Sequence, residues 1–326
     1  MIAWFLLLII SFVILVKGAD LFVLGAAGLG SRMKISPLII GLTIVAFGTS
    51  APELAVSLVA SIRGQNGIAV GNVIGSNIFN ILVVLGASAL VSPLVIRRSL
   101  IVKDIPFMLV ATAVLGLFCC DVWLSRYKVD GEKIVPSHFI LSQAEGIVLL
   151  LLFCIFFYYL ISDALNKKEQ QLDEGQKRNL SVFRLIIYLI AGLIAIIGGG
   201  NLVVESATRI ARFFKISEEV IGLTICAIGT SLPELVTSIV AARKGENEIA
   251  IGNVVGSNIF NLLFILSISV IISPIVLGAE VVLDLLLLFG ISLLVYFVSL
   301  KGKIGRVSGF LFLLFYGAYM GYLFLR

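Results

Sequence analysis

Apolar residues run along this chain in long stretches, at 2–16 with an extension to 30, then at 37–62, 68–96, 105–120 and 139–161. After a polar break they resume at 182–207, 220–242, 249–276, 281–300 and 307–325. Most of these ten stretches approach or exceed the roughly 20 residues with which an α-helix crosses a hydrocarbon layer. In lipid only helices and closed barrels satisfy their own backbone. The pattern predicts an all-α integral membrane protein with ten transmembrane helices. The fourth stretch is short and its edges are poorly defined.

The break itself, residues 166–180, mixes Lys167, Lys168, Lys177 and Arg178 with Glu169, Asp173 and Glu174. It is too short to be a domain. The expected organisation is a first membrane unit at 1–164, a linker at 165–181 and a second membrane unit at 182–326.

The two units repeat each other. Residues 41–53 read GLTIVAFGTSAPE and residues 222–234 read GLTICAIGTSLPE, an offset of 222 − 41 = 181. At the same offset GNVIGSNIFN at 71–80 returns as GNVVGSNIFN at 252–261, Ser92-Pro93 as Ser273-Pro274, and Asp20 faces Asn201. The motif-bearing segments are therefore 41–93 and 222–274. Five spans per copy is an odd number, so the second copy enters the membrane upside down. The expected architecture is two inverted-topology five-helix repeats with broken helices at the midplane, the arrangement secondary transporters build around a central site. The first stretch has its counterpart at 182–207, so it is expected to belong to the fold and not to a cleaved leader.

Composition agrees with the pattern. Of 326 residues 60% are hydrophobic and 13% charged, with mean hydropathy +1.15, more apolar surface than one soluble core can hide. The net charge of +5 does not point to nucleic acid, because most basic residues lie between or at the ends of the apolar stretches. Fifteen Lys and Arg fall on one side of the predicted spans and eight on the other. That bias places both termini outside the plasma or inner membrane and the linker in the cytoplasm. Cys119, Cys120, Cys154 and Cys226 all sit in or at the ends of apolar runs, as small membrane residues and not as a disulfide framework. The single histidine, His138, falls in a predicted outer loop and reads as a surface residue. Asp20 and Asn201 read as helix-packing or entrance residues, and Glu145, Asp163 and Asp284 as solvated ends of spans.

The chemistry lies in the repeated segments. Pro52 and Pro233 remove a helical N–H and push away the carbonyls of Gly48 and Gly229, disturbing those of Thr49 and Thr230. Non-helical backbone at membrane depth survives where protein or a polar cavity satisfies it. On a continuous helix Ala46, Thr49, Ser50, Glu53 and Ser57 share one face, and Asn72, Ser76 and Asn80 share another in the next span. Gly71 and Gly75 form a small-xxx-small pair expected to admit a neighbouring helix. A carboxylate at the bilayer centre costs about 2.5–3.5 kcal/mol on insertion scales. No Lys or Arg lies in 36–62, 68–96 or 217–242 to neutralise Glu53 or Glu234. A cation or a proton must do so. The donors are hard oxygens and the formal charge is −2, which one Ca2+ or two Na+ would balance. Mg2+ demands strict octahedral geometry, and transition metals would want His or clustered Cys. An intramembrane enzyme with Ser50 or Ser231 as nucleophile would need a nearby base, and these spans offer none. A passive channel is disfavoured by a site that should hold divalent ions tightly.

GTSAPE at 48–53, GTSLPE at 229–234, GNVIGSNIFN at 71–80 and GNVVGSNIFN at 252–261 together resemble the two alpha-repeats of the sodium/calcium exchanger family, within the Ca2+:cation antiporter superfamily. The resemblance covers nearly the whole chain and its motifs are highly specific. With a short linker and no large regulatory domain, the chain looks like the compact prokaryotic branch. The resemblance implies a secondary antiporter that exchanges Ca2+ for Na+ by alternating access, with no cofactor and no obligate protein partner. A Ca2+/H+ antiporter of the same fold is the alternative. It implies Glu53 and Glu234 as central carboxylates, with carbonyls of Thr49 and Thr230 on Ca2+. Carbonyls of Ala46 and Ala227 with hydroxyls of Ser50, Ser231, Ser76 and Ser257 would serve flanking Na+ sites, and Asn80 and Asn261 would complete the centre. The first and sixth helices would slide against the other eight. Potassium-dependent relatives carry Asp at one central position where this chain has Asn80 and Asn261, which argues against K+ co-transport.

Overall fold

A computed structural model of the chain describes residues 2–119, 139–167, 180–214, 227–277 and 279–325. The apolar stretches within them are helical. The first half contains α1 (Ile2–Met33), α2 (Pro37–Thr49), α3 (Ala51–Ile62), α4 (Asn66–Val91), α5 (Leu100–Cys119) and α6 (Gln143–Lys167). The second contains α7 (Val182–Phe213), α8 (Ala227–Thr230), α9 (Leu232–Arg243), α10 (Asn247–Ile272), α11 (Ala279–Ser299) and α12 (Arg306–Leu325). Among the described residues seven helices are long and apolar enough to cross a membrane, or eight when the bent pair α2 and α3 is taken as one span. His138, Cys120, Cys226 and most of the polar linker lie outside the described residues.

The repeat in the text is a repeat in the structure. α3 and α9 begin and end 181 positions apart, as do the single π-helical turns Asn80–Val84 in α4 and Asn261–Ile265 in α10. The turns that join α3 to α4 and α9 to α10 use Gly64 (φ +69) and Gly245 (φ +78), a left-handed conformation that glycine adopts without strain.

The all-helical expectation holds, with one boundary corrected and two short extended pairs added at helix ends. The fourth apolar stretch was placed from residue 105, but its helix starts at Leu100 through a π turn, Leu100–Asp104, that carries Lys103 and Asp104 into the helix. The protein also has extended structure. β1 (Leu94–Val95) pairs antiparallel with β4 (Lys303–Ile304), and β2 (Phe139–Leu141) with β3 (Ile275–Leu277). The cause is Pro93 and Pro274. The preceding Ser92 (φ −144, ψ 127) and Ser273 (φ −146, ψ 117) are forced out of the helical region, and the chain beyond stays extended and finds a partner.

α4 and α10 form the centre, with 72% and 78% of their membrane windows buried inside the protein, against 33% for α1 and 22% for α7. α1 and α7 make a peripheral pair that touches backbone to backbone. A Cβ on Gly192 would stand 2.5 Å from Phe22 N, and one on Gly199 would stand 2.9 Å from Leu15 N. Small residues permit this approach where no hydrophobic effect drives helices together.

Candidate cation-binding site

Both broken helices break at serine. Ser50 (φ −82, ψ 7) separates α2 from α3 with a bend of 48°, and Ser231 (φ −92, ψ 5) separates α8 from α9. Pro52 and Pro233 follow in the first turn of α3 and α9, where a missing N–H costs least. The next residue in each case is the glutamate. Glu53 and Glu234 therefore sit at helix N-termini, the end of the macrodipole that favours an anion. Both are fully buried, and among the described residues neither has an ion-pair partner.

The hydrogen bonds cross between repeats. Ser50 Oγ donates to Glu234 Oε1 at 2.7 Å, and Ser231 Oγ donates to Glu53 Oε1 at 2.9 Å. The second oxygen of each carboxylate, Oε2, is buried without a hydrogen-bond partner among the described residues. An asparagine braces each glutamate's backbone. Asn72 Nδ2 donates to Glu53 O and Ser57 Oγ, and Asn253 Nδ2 donates to Glu234 O and Ser238 Oγ. Thr49 Oγ1 hydrogen-bonds Asn253 Oδ1 at 3.0 Å and is also within reach of the carbonyls of Val45 and Ala46. Ser257 Oγ donates to Ala46 O at 3.4 Å.

A second network lies where α4 and α10 meet. Asn77 Nδ2 donates to Asn258 O and Asn258 Nδ2 to Asn77 O, each at 3.4 Å. Asn261 Nδ2 donates to Ser76 Oγ (3.1 Å) and Asn77 Oδ1 (3.2 Å). Asn80 is fully buried, and neither its Oδ1 nor its Nδ2 has a partner among the described residues. Asn80 and Asn261 each open a π turn, the one-residue expansion that recurs at functional sites in helices.

The structure thus joins Glu234, Ser50, Thr49, Ala46 and Ser257 by hydrogen bonds through Asn253, and sets Glu53 with Ser231 in the matching arrangement of the other repeat. Ser76 and Asn261 join in the second, and Asn80 is buried nearby in sequence and fold. Ala227 and Thr230 open and close the single turn of α8 just before the second break. Sequence reasoning left out Asn253, Ser238, Asn77 and Asn258 as site builders. All but Ser238 lie inside the duplicated ten-residue text, which was the available signal.

Among the described residues the two repeats have different neighbours. A cavity of about 630 Å³ reaches Asn72, Ser76 and Thr230 and is walled by Gly71, Gly75, Asn201, Asp284, Tyr316 and Tyr319 among others. The Gly71 and Gly75 pair is expected to seat a neighbouring helix; among the described residues nothing stands within 4 Å of a Cβ at either, and residues 218–226, which match the segment packed on their counterparts, lie outside the described residues. Their counterparts do seat one. A Cβ on Gly252 would lie 2.8 Å from Leu38 O, and one on Gly256 would lie 2.7 Å from Leu42 O. An aromatic cluster of Phe47, Phe153, Phe157, Phe260 and Phe264 fills the region beyond α2. Asp284 is thereby a cavity residue and not only a span end. Glu145 bonds Ser142 in a reciprocal cap at the start of α6, and Asp163 pairs with Lys103.

A multi-pass membrane protein with two buried acids shared between duplicated halves is the class this geometry defines. The sodium/calcium exchanger protein family matches residues 3–162 and 184–325. The sodium/calcium exchanger MaX1 of Methanosarcina acetivorans is 35% identical over 98% of this chain and 98% of its own length. The putative antiporter CaxA of Alkalimonas amylolytica is 38% identical over 97% and 96%. A solved structure of the sodium-calcium exchanger NCX_Mj, soaked with 10 mM Na+ and zero Ca2+, superposes with a TM-score of 0.82 at 34% identity, covering 98% and 97% of the two chains. The chain belongs to the sodium/calcium exchanger family and is a membrane antiporter of cations, a transporter and not an enzyme.

Proposed function

We propose that this protein exchanges Ca2+ for Na+ across the membrane by alternating access, with Glu53 and Glu234 holding the ions in turn. The observation that carries the reading is the pair of buried carboxylates, each clasped on one oxygen by the other repeat's serine and open on the second. Two uncompensated buried charges cost several kcal/mol apiece, and a hard cation offsets that cost best through oxygen ligands. The unpartnered oxygens of Asn80 and Asn261 extend the same donor set. In this reading Thr49, Thr230, Ala46 and Ala227 offer carbonyls, and Ser50, Ser231, Ser76 and Ser257 offer hydroxyls to flanking ions. MaX1 and NCX_Mj are named as sodium/calcium exchangers, which supports Na+ as the counter-ion.

The reading includes ten transmembrane helices in two inverted five-helix repeats, first at 1–164 and second at 182–326, with a cytoplasmic linker between. Reciprocal bonds, between Asn77 and Asn258 at 181 positions apart and in the crossed pairs Ser50–Glu234 and Ser231–Glu53, are what a two-fold axis produces. An odd span count per repeat lays that axis in the membrane plane. Alternating access is the mode of transport this reading implies. Among the described residues a cavity borders the Gly71 and Gly75 side of α4, while the matching side of α10 is packed against α2.

The test is Ca2+ uptake into proteoliposomes under separately imposed Na+ and H+ gradients. Uptake driven by outward Na+ is expected; uptake that ignores Na+ and follows pH would replace the reading with Ca2+/H+ exchange. Glu53→Gln and Glu234→Gln should each abolish uptake with membrane insertion intact, and near-normal uptake in either would remove the assignment.

A further inference from the structure

Asn80 and Asn261 occupy matching positions 181 apart, yet only one of the two amides is held. Asn261 Nδ2 donates to Asn77 Oδ1 at 3.2 Å and to Ser76 Oγ at 3.1 Å. The equivalent bonds in the other half would run from Asn80 Nδ2 to Asn258 Oδ1 and Ser257 Oγ. Neither is made. Asn80 Nδ2 and Asn258 Oδ1 have no partner among the described residues, and Ser257 Oγ donates to Ala46 O.

The two groups that hold Asn261 are themselves committed as acceptors. Asn77 Nδ2 donates to Asn258 O, which leaves its Oδ1 for Asn261. The Ser76 hydroxyl donates to Val73 O, so only its lone pairs remain. A side-chain amide has one donating and one accepting end, and partners that accept decide which end they meet. With the nitrogen of Asn261 engaged on the α4 side, its oxygen is directed away from these partners. That oxygen is buried and has no hydrogen-bond partner among the described residues. All four residues of the chain Asn258–Asn77–Asn261–Ser76 are buried, so bulk water does not compete for their bonds. A turned amide would aim N–H groups where a hard cation needs oxygen.

We propose that Asn77 is a positioning residue: it fixes the amide of Asn261 so that an oxygen, and not an N–H, is offered to the bound cation. The role rests on the exchanger reading, in which Asn261 completes the cation site. Asn77 acts through orientation and need not touch the ion. It makes one central amide rigid and leaves the other, Asn80, able to turn.

The test is a double-mutant cycle read by calorimetric Ca2+ titration in detergent, with Ca2+ uptake into proteoliposomes alongside. Asn77→Leu keeps the side-chain size and removes the acceptor. Its Kd for Ca2+ should rise about three- to tenfold, the range set by one lost hydrogen bond. The same change in an Asn261→Asp background should raise Kd by less than about twofold, because a carboxylate offers oxygen at both ends and has no wrong orientation. A purely structural role for Asn77 predicts the same loss in both backgrounds, and that result would overturn the proposal. An unchanged Kd in Asn77→Leu would overturn it too. A second measurement keeps residue 77 intact and so does not depend on the folding of that variant. With isotope-labelled asparagine, Ca2+ should shift a side-chain carbonyl infrared band that is missing in Asn261→Asp; no such Asn261-dependent shift would reject the ion-facing oxygen. A wild-type protein that neither binds nor transports Ca2+ would end the exchanger reading and this one with it. Wild-type binding and exchange, with equal losses in both backgrounds, would end this one alone.

Discussion

At each glutamate one oxygen is held by a serine and the other is left for an ion. A hydrogen bond to a charged acceptor contributes about 1.5–3 kcal/mol. Removing it leaves the carboxylate both less stable and less well aimed. Ser50→Ala should therefore weaken Ca2+ binding by roughly tenfold or more, through Glu234 and not through its near neighbour Glu53. Ser231→Ala should act through Glu53. Isothermal titration in detergent, with infrared bands of isotope-labelled carboxylates to show which acid has changed, checks both; a perturbed band at Glu53 in Ser50→Ala would reject the crossed assignment. The glutamates and hydroxyls were legible in the sequence because acids and prolines stand out in an apolar run and the text is duplicated. Their partners were not. Helical spacing reports which residues share a face of one helix, whereas Ser50 and Glu234 are 184 positions apart and meet only through packing.

Among the elements, the repeated glycine pairs separate what sequence shows from what packing decides. Gly71-xxx-Gly75 and Gly252-xxx-Gly256 are the same words, yet one borders a cavity and the other seats a helix. Gly256→Ala should destabilise the protein by about 1–3 kcal/mol, because its methyl would meet Leu42 O and Ala46 Cβ at 2.7–2.8 Å. Gly75→Ala should leave stability unchanged or raise it slightly, since its Cβ meets nothing among the described residues and alanine is the better helix former. Thermal midpoints in detergent measure the difference, and equal losses in the two variants would contradict the closed packing of α2 on α10. Helix positions followed from apolar runs and from Ser-Pro stops. The π turns at Asn80–Val84 and Asn261–Ile265 did not, because one extra residue in a helical turn changes no period that an apolar run can reveal. The β1–β4 and β2–β3 ladders likewise depend on segments far apart in sequence meeting at a helix end.

For the molecule as a whole, the unequal burial of equal parts has a direct readout. Asn72→Cys and Asn253→Cys occupy matching positions, but Asn72 lines the cavity and Asn253 is fully buried. With the four native cysteines replaced, a water-soluble thiol reagent should label Asn72→Cys within minutes and spare Asn253→Cys in the absence of ions. Equal labelling would mean that both halves stand open, and the one-sided description would fall. The duplicated text and its acids could be read from the sequence, while the different burial of Asn72 and Asn253 could not, because identical words carry no information about what packs on each copy. The crossing of serines onto glutamates has one more consequence. Neither half, expressed alone, could assemble a finished pair of ligands, and a change at residue 50 or 231 is felt by the acid of the opposite copy. Drift in either copy is thus policed by the other, and a compensating substitution should be sought in the far half of the gene.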